Sequence, residues 1–429
     1  MRFVLATSGT HGDVNPYIGV AAELKNRGHY VTLATCASYQ SKVQAEGLAF
    51  RPLRPDLNEL MNSFPENSAR GNSLKNGTEF ILKTLVLPKS RETYDDLLHA
   101  SRGADLLVIH PVLFPAPLVA EKLGLRWTSI ILSPGIFLSA YDPPLLPPLA
   151  WLYPLRKLGP APYRLLNTVV DGITRRWMQP IDDLRKQLNL PPSPKNPVRD
   201  GMLSPTGTLG WFSTVMGRPQ RDWPPRTEVT GFVFFDRKAA NDDDSPLRGF
   251  LDAGDPPVVF TLGTSAVTVA GDFYRTSLEA ARERRWRAVM LTGVDPRNRI
   301  SPREVPDSVF VTDYASYSAL FVRAAAVVHS GGIGTIAQTL RAGVPSVVVP
   351  HAADQPDNAC RLARTGASRT IARHAYSAGR VSKELRSLLN EPRYSTRAQT
   401  VSRQIRSEDG LKQACDALER HARGDSDLT

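Results

Sequence analysis

The feature that most restricts the fold is an alternation that runs twice along the chain. "RFVLAT", "YVTLAT", "ADLLVIH" and "WTSIIL" are short apolar runs in the first half. Each is too short for a buried helix and too uniformly apolar for a strand with one wet face, so they predict strands covered on both sides. Stretches of helical spacing lie between them. In "NPYIGVAAELKNRGH", Tyr17, Val20, Ala21 and Leu24 share one face and Gly28 marks the stop, which predicts a helix opening at Pro16. "PAPLVAEKLGL" separates the third and fourth runs. Strand, helix and strand in this order build a parallel sheet with right-handed crossovers.

The pattern restarts after the polar stretch "FDRKAANDDDSPLRG". The runs are now "PPVVFTLGTSA", "RAVMLTG", "SVFVTD", "AAVVHSGG" and "PSVVVP". An α/β chain of two tandem doubly wound, Rossmann-like domains is expected, with a cleft between them. Ligands of open parallel sheets bind beyond the carboxyl ends of the strands. The expected division is residues 1–234 for the first domain, 235–250 for a linker and 251–400 for the second domain. A last helix over 401–429 is expected to pack back on the first domain.

At 429 residues with 41% hydrophobic content, the chain has enough apolar material for two cores. A formal net charge of +11 favours anionic partners such as nucleotide phosphates or an acidic membrane surface. No Lys/Arg block is interleaved with aromatics, so a nucleic-acid groove is not expected. Cys36, Cys360 and Cys415 are far apart, with neither metal spacing nor a disulfide framework. That usage suits a reducing cytoplasm. No apolar run reaches the ~20 residues of a membrane span, and the apolar part of "MRFVLATSG" is too short for a signal peptide. Residues 141–165, "YDPPLLPPLAWLYPLRKLGPAPYRL", interrupt the alternation. They predict either a loop and short helix packed on the domain, or an apolar wall for an acceptor or for lipid.

Two turns carry chemistry. The first is "SGTHGDVNP", residues 8–16, directly after the first strand. It holds His11 and Asp13, and Asp13 reads either as a general base or as the N-cap of the following helix. The second lies in "AAVVHSGGIGTIAQTLRAGVPSVVVPHAADQPDN". A strand ends at His329, small residues follow, and a helix begins near Thr335. Such a turn offers free amides and the positive end of a helix dipole to an anion, most simply a diphosphate. His329 reads as a donor to a phosphate oxygen or as a plain strand-end residue. Asp354 and Gln355 read as turn formers or as partners of vicinal sugar hydroxyls.

Gly332, Gly334 and Ala337 also fit G-x-G-x-x-A, with Asp354 at the ~20-residue spacing of a dinucleotide fingerprint. The fingerprint should open the first domain, however, and Asp354 follows a strand that Pro350 breaks. The pattern therefore weighs against a dehydrogenase.

"HSGGIGT…RAGVPSVVVPHAADQPDNA" resembles the donor signature of the family 1 nucleotide-sugar glycosyltransferases, enzymes of GT-B fold. "GTHGDVNPYIGVAAELKNRGHYVTLAT" is similar to the family's N-terminal signature and "FTLGTSA" to the first turn of its C-terminal domain. "DWPPRTEVTGFVFFD" and "GDFY" are most similar to the bacterial rhamnosyltransferase branch of that family. The resemblance covers nearly the whole sequence.

The resemblance implies an inverting sugar transfer to a hydroxyl, with no metal and no cofactor beyond the nucleotide-sugar co-substrate. His329 and the amides around Gly331, Gly332, Gly334 and Thr335 would hold the diphosphate. Gly263, Thr264 and Ser265 would face the same phosphates. Asp354 and Gln355 would bind the sugar, and residues 311–321 would line the base. At the first turn the family pattern carries histidine or, in the sterol, antibiotic and rhamnosyl branches, aspartate as base; here it is Asp13. His110 stands where many members have an aspartate, so it would orient Asp13 and reverse the usual pair. His11 would line the acceptor pocket, act in catalysis or simply sit in the turn. Ala337 stands where plant members carry a ribose-binding acid, which is compatible with dTDP-sugar donors as well as UDP-sugars. The acceptor would be hydrophobic: lipid, polyketide, sterol or flavonoid. The expected location is the cytoplasm, with peripheral contact at the inner face of the membrane. An epimerase of the same fold and a silent nucleotide-sugar-binding partner are the alternatives.

Overall fold

The computed structural model describes residues 1–62, 64–236 and 246–425. It divides into two compact units. The first comprises residues 1–71, 75–235 and 408–429; the second comprises 72–74 and 236–407. Most of the stretch expected as a linker, residues 237–245, lies outside the described residues. Its last part is already helical, in Pro246–Asp252.

The sheet of the first unit is formed by β1 (Arg2–Ala6), β2 (Tyr30–Thr35), β3 (Ala49–Pro52), β4 (Leu106–Ile109), β5 (Arg126–Ile131), β6 (Thr208–Gly210) and β7 (Thr227–Val229). Their order is β3-β2-β1-β4-β5-β6-β7, and every neighbouring pair is parallel. The all-apolar runs are buried on both faces as their composition requires. Leu106, Leu107, Val108 and Ile109 are each at most 1% exposed. Leu5 is fully buried in β1, where truncation to Ala would cost about 2–5 kcal/mol.

The second unit holds β8 (Val258–Thr261), β9 (Ala288–Leu291), β10 (Val309–Thr312), β11 (Ala326–His329), β12 (Ser346–Val348) and β13 (Ser368–Thr370). Their order is β10-β9-β8-β11-β12-β13, again all parallel. Phe260, Val328, Met290 and Val347 fill its core from adjacent strands.

Each sheet grows in one direction and then reverses. The reversal lies between β1 and β4 in the first unit and between β8 and β11 in the second. At such a switch point two loops leave the sheet edge in opposite directions and open a crevice at the carboxyl ends. The short turn after β1 runs into helix His11–Asn26, whose first turn carries His11 and Asp13, and the residue after β4 is His110. The loop after β8 carries Gly263, and β11 runs into the glycines that follow His329.

The C-terminal segment is split between the units. Helix Pro392–Ser407 belongs to the second, where the Arg341 carbonyl accepts hydrogen bonds from Ser402 Oγ and Arg406 Nε. A boundary at residue 400 would cut this helix. Helix Gly410–Arg423 belongs to the first unit, where Arg27, the residue after helix His11–Asn26, pairs with Asp416 and Glu419.

Candidate active site

The helix after β1 starts at His11, not at Pro16. Thr10 is the residue in front of it, with extended backbone. Asp13, the third helical residue, returns a hydrogen bond to the Thr10 amide through Oδ2 (2.7 Å), and the same oxygen accepts from Thr10 Oγ1 (3.0 Å). This is a capping box, so Asp13 is not the N-cap. Pro16 is tolerated inside because only one helical bond, to the Gly12 carbonyl, is forfeited near the end.

The capping bonds use one carboxylate oxygen of Asp13. The other, Oδ1, lies 3.8 Å from His110 Nε2. His110 is packed in place by Tyr17, whose ring centroid lies 6.4 Å away, and Tyr17 packs in turn on Trp211 at 4.9 Å. The Val112 amide points at His110 Nδ1 (3.4 Å), which marks that nitrogen as the acceptor and Nε2 as the protonated one. Burial pushes the His110 imidazole below its ordinary pKa, against the opposing pull of Asp13. A neutral imidazole therefore presents an N–H towards a carboxylate. The Tyr17 hydroxyl and Trp211 Nε1 are buried without a partner among the described residues.

His11 is engaged elsewhere. Lys42 Nζ lies 3.3 Å from its Nδ1, and Tyr39 meets its ring edge-on at 5.1 Å. Desolvation, aided by the Lys42 ammonium, lowers its pKa to about 4. Residues 211–223 follow β6, and Phe137 follows β5. Phe137 stacks on Trp223 at 4.0 Å, with Phe212 edge-on to both. Aromatic groups are thus collected beyond the carboxyl ends of these strands.

In the second unit His329 closes β11 and is completely buried. Its Nδ1 accepts the Gly331 amide (3.1 Å). The proton therefore sits on Nε2, a buried atom with no partner among the described residues. Burial lowers the His329 pKa to about 3, so the ring is a neutral donor. Gly331 has φ +92, and a Cβ there would come within 2.8 Å of Val348 Cγ1, so the turn admits only glycine.

The helix that follows is Ile333–Ala342, two residues earlier than the expected start. Its first internal bond runs from Ile336 N to the Gly332 carbonyl. The amides of Ile333, Gly334 and Thr335 precede that bond and crown the helix N-terminus. Ser330 Oγ donates to the Leu262 carbonyl (2.7 Å), which ties this turn to the one after β8. There Gly263 (φ +67) faces Thr335 Oγ1, and Thr264 and Ser265 follow in a short helical turn.

Asp354 ends the turn after β12, directly in front of helix Gln355–Arg364. Its Oδ2 accepts from Asn358 Nδ2 (2.7 Å), and Asn358 also donates to the Gly331 carbonyl (3.2 Å). Gln355 is buried. Its Oε1 accepts the His351 and Ala352 amides (2.8 and 3.0 Å), and its Nε2 donates to Ser265 Oγ (3.2 Å). Its carbonyl is thereby committed to the protein, and one Nε2 hydrogen is left for a ligand. In the 311–321 segment, Tyr317 turns inward to Thr261 (2.8 Å) while Tyr314 is exposed.

Sequence reasoning missed Thr10, Tyr17, Trp211 and Asn358. Thr10 and Asp13 carry a readable T-x-x-D capping signature. Asn358 lies within the quoted "DQPDN". The contacts of Tyr17 and Trp211 depend on tertiary packing and have no local signal.

Comparison with known proteins places these residues in a family context. The glycosyltransferase family 28 N-terminal domain matches residues 3–89, and the erythromycin biosynthesis protein CIII-like C-terminal domain matches residues 286–417. The O-mycaminosyltylonolide 6-deoxyallosyltransferase of Streptomyces fradiae is 30% identical over 442 residues, covering 98% of each chain. The sterol 3-beta-glucosyltransferase UGT80A2 of Arabidopsis thaliana is 29% identical over 98% of this chain and 66% of its own length. Among solved structures, the glycotransferase of kitacinnamycin superposes with a TM-score of 0.73 at 21% identity, covering 98% of this chain and 99% of that one. Spinosyn rhamnosyltransferase SpnG complexed with thymidine diphosphate gives a TM-score of 0.68 at 16% identity, covering 98% and 100%.

Proposed function

Because the chain belongs to the family 1 nucleotide-sugar glycosyltransferases, with the GT-B fold, and is a glycosyltransferase, we propose that it transfers a sugar, with inversion, from a nucleoside diphosphate to a hydroxyl of a hydrophobic acceptor. Asp13 is the general base. The observation that carries this reading is the division of labour on the Asp13 carboxylate. Oδ2 is fixed by Thr10, and Oδ1 faces the neutral His110 N–H at 3.8 Å.

The acceptor hydroxyl gives its proton to Asp13 Oδ1 as its oxygen attacks the anomeric carbon. The bond from that carbon to the diphosphate oxygen breaks in the same displacement, and attack from the far face inverts the centre. His110 holds the carboxylate in position. The charge that develops on the leaving diphosphate is met by His329 Nε2–H and by the amides of Ile333, Gly334 and Thr335. Asp354 and the remaining Gln355 N–H contact the sugar. Neutral donors and a helix N-terminus suffice to stabilise the leaving group, so no metal enters this reading.

A hydrophobic acceptor is supported by the relatives named above, which act on a macrolide and on sterols by their names. A dTDP-sugar donor, such as dTDP-rhamnose, is supported by Ala337, which offers no carboxylate to a ribose diol, and by the thymidine diphosphate bound to a structural neighbour. UDP-glucose is the competing donor. The test is acceptor-dependent release of nucleoside diphosphate from dTDP- and UDP-sugars in the presence of a macrolide or sterol alcohol. Release that needs the acceptor supports transfer. Sugar conversion or diphosphate release at the same rate without acceptor would overturn it.

A further inference from the structure

Helix Ala161–Trp177 is built inside out. The residues it buries are Tyr163, Asn167 and Thr174. Asn167 Nδ2 donates to the Leu138 carbonyl (2.6 Å), the Tyr163 hydroxyl reaches the Leu152 carbonyl (3.2 Å), and Thr174 Oγ1 accepts from Asn196 (2.8 Å). The residues it turns outward are Leu165, Val169 and Ile173, which are 70%, 53% and 49% exposed. These three are spaced i, i+4, i+8 and form one continuous stripe. The preceding helical segment Pro147–Leu158 buries none of its residues, and it exposes Trp151 (75%) and Leu158.

Isolated apolar residues on a surface need no explanation, but an aligned stripe on a helix that faces inward with polar groups does. Its charge identifies what covers it. Residues 147–177 contain five cations (Arg156, Lys157, Arg164, Arg175 and Arg176) and one acid, Asp171. Asp171 is paired with Arg199, and Arg175 with Asp182. Arg156, Lys157, Arg164 and Arg176 remain on the exposed side, and Arg164 lies across the Tyr141 ring at 5.5 Å. A second copy meeting this face through a two-fold axis would set cation against cation. Apolar side chains, an exposed Trp and a fringe of Lys and Arg are what an anionic bilayer surface accepts: aliphatic groups enter the acyl boundary, the indole sits at headgroup level, and the cations meet lipid phosphates.

We propose that the Trp151–Leu158 segment and the Leu165–Val169–Ile173 stripe dock this enzyme on an anionic membrane. The helix lies in the interface plane and spans nothing; among the described residues, no helix is long and apolar enough to cross a membrane.

The test is sedimentation of the full chain with phosphatidylglycerol/phosphatidylcholine vesicles and with pure phosphatidylcholine vesicles. The wild type is expected to partition to the anionic vesicles, to release at high ionic strength, and to bind neutral vesicles weakly. Each cation near the surface should contribute roughly fivefold. L165S/V169S/I173S should lower partitioning about tenfold or more, with an unchanged or raised melting temperature because the changed residues are exposed. Should that variant fail to fold, wild type and Trp151→Phe are compared by fluorescence quenching with brominated lipid; the difference signal is expected to be quenched. No binding to anionic vesicles at low ionic strength, or unchanged binding by a folded triple variant, would overturn the proposal. So would light scattering that shows a dimer which the triple variant dissociates.

Discussion

His110 Nε2 stands 3.8 Å from Asp13 Oδ1, one residue beyond β4 and seven beyond β1, on strands that pair in register through Ala6 and Ile109. The pairing fixes the two backbones, the Thr10 capping bonds fix the carboxylate, and Tyr17 fixes the imidazole. As the base of the proposed mechanism, a carboxylate prepared in this way would spend little of the reaction barrier on orientation.

In the proposed mechanism His110 acts through Asp13 and is a positioning residue. His110→Phe should lower the transfer rate by up to about 10²-fold while donor affinity stays level. His110→Gln, which keeps an N–H donor, should restore part of the rate, because what His110→Phe removes is the N–H that faces Asp13. Equal rates for the two variants would reduce His110 to a packing role.

His329 should bind donor as a neutral ring. His329→Ala is expected to weaken donor affinity by about 1.5–3 kcal/mol, the value of a hydrogen bond to a charged oxygen. Its pKa of about 3 sets the sign of the pH effect. A histidine that charged near its ordinary value would bind diphosphate more tightly as pH fell through about 6.5. Here calorimetry between pH 5 and 8 should find no such gain. A rise towards low pH that His329→Ala abolishes would show a cationic role instead.

Gly331→Ala places a methyl group 2.8 Å from Val348 Cγ1 at φ +92. About 1–3 kcal/mol of strain follows. The expected outcome is a lower melting temperature and weakened donor binding, because the displaced turn carries both His329 Nδ1's partner and the start of helix Ile333–Ala342. Gly332→Ala is the control, since a Cβ there meets nothing within 4 Å. Equal melting temperatures for the two variants would show that the Gly331 turn is not under this constraint.

The architecture is legible because buried parallel strands are apolar on both faces. β1, β2, β4, β5, β8, β9, β10, β11 and β12 all coincide with apolar runs readable in the sequence. β6, β7 and β13 are three residues each and, unlike β12, lie in no apolar run, and β3, "AFRP", lies in none either. The helix start is misread because Pro16 is a stronger punctuation mark than the Thr10–Asp13 capping box that sets the boundary. The Asp13–His110 approach is anticipated only through family likeness, since strand order joins residues 97 positions apart and no local pattern encodes strand order. Gln355 looks free to bind sugar, but the backbone amides that occupy its carbonyl come from a turn whose shape the sequence does not announce. Residues 141–165 are recognisably apolar, but which side of the following helix faces outward depends on Asn167 and Thr174 finding partners inside.

The most direct measurement is the single-turnover transfer rate of Asp13→Asn beside its donor affinity. Asparagine keeps an oxygen for the Thr10 amide, so the turn is retained while the base is removed. The account predicts a rate about 10²–10⁴-fold below wild type, with donor affinity unchanged. A variant that transfers sugar at the wild-type rate would contradict it.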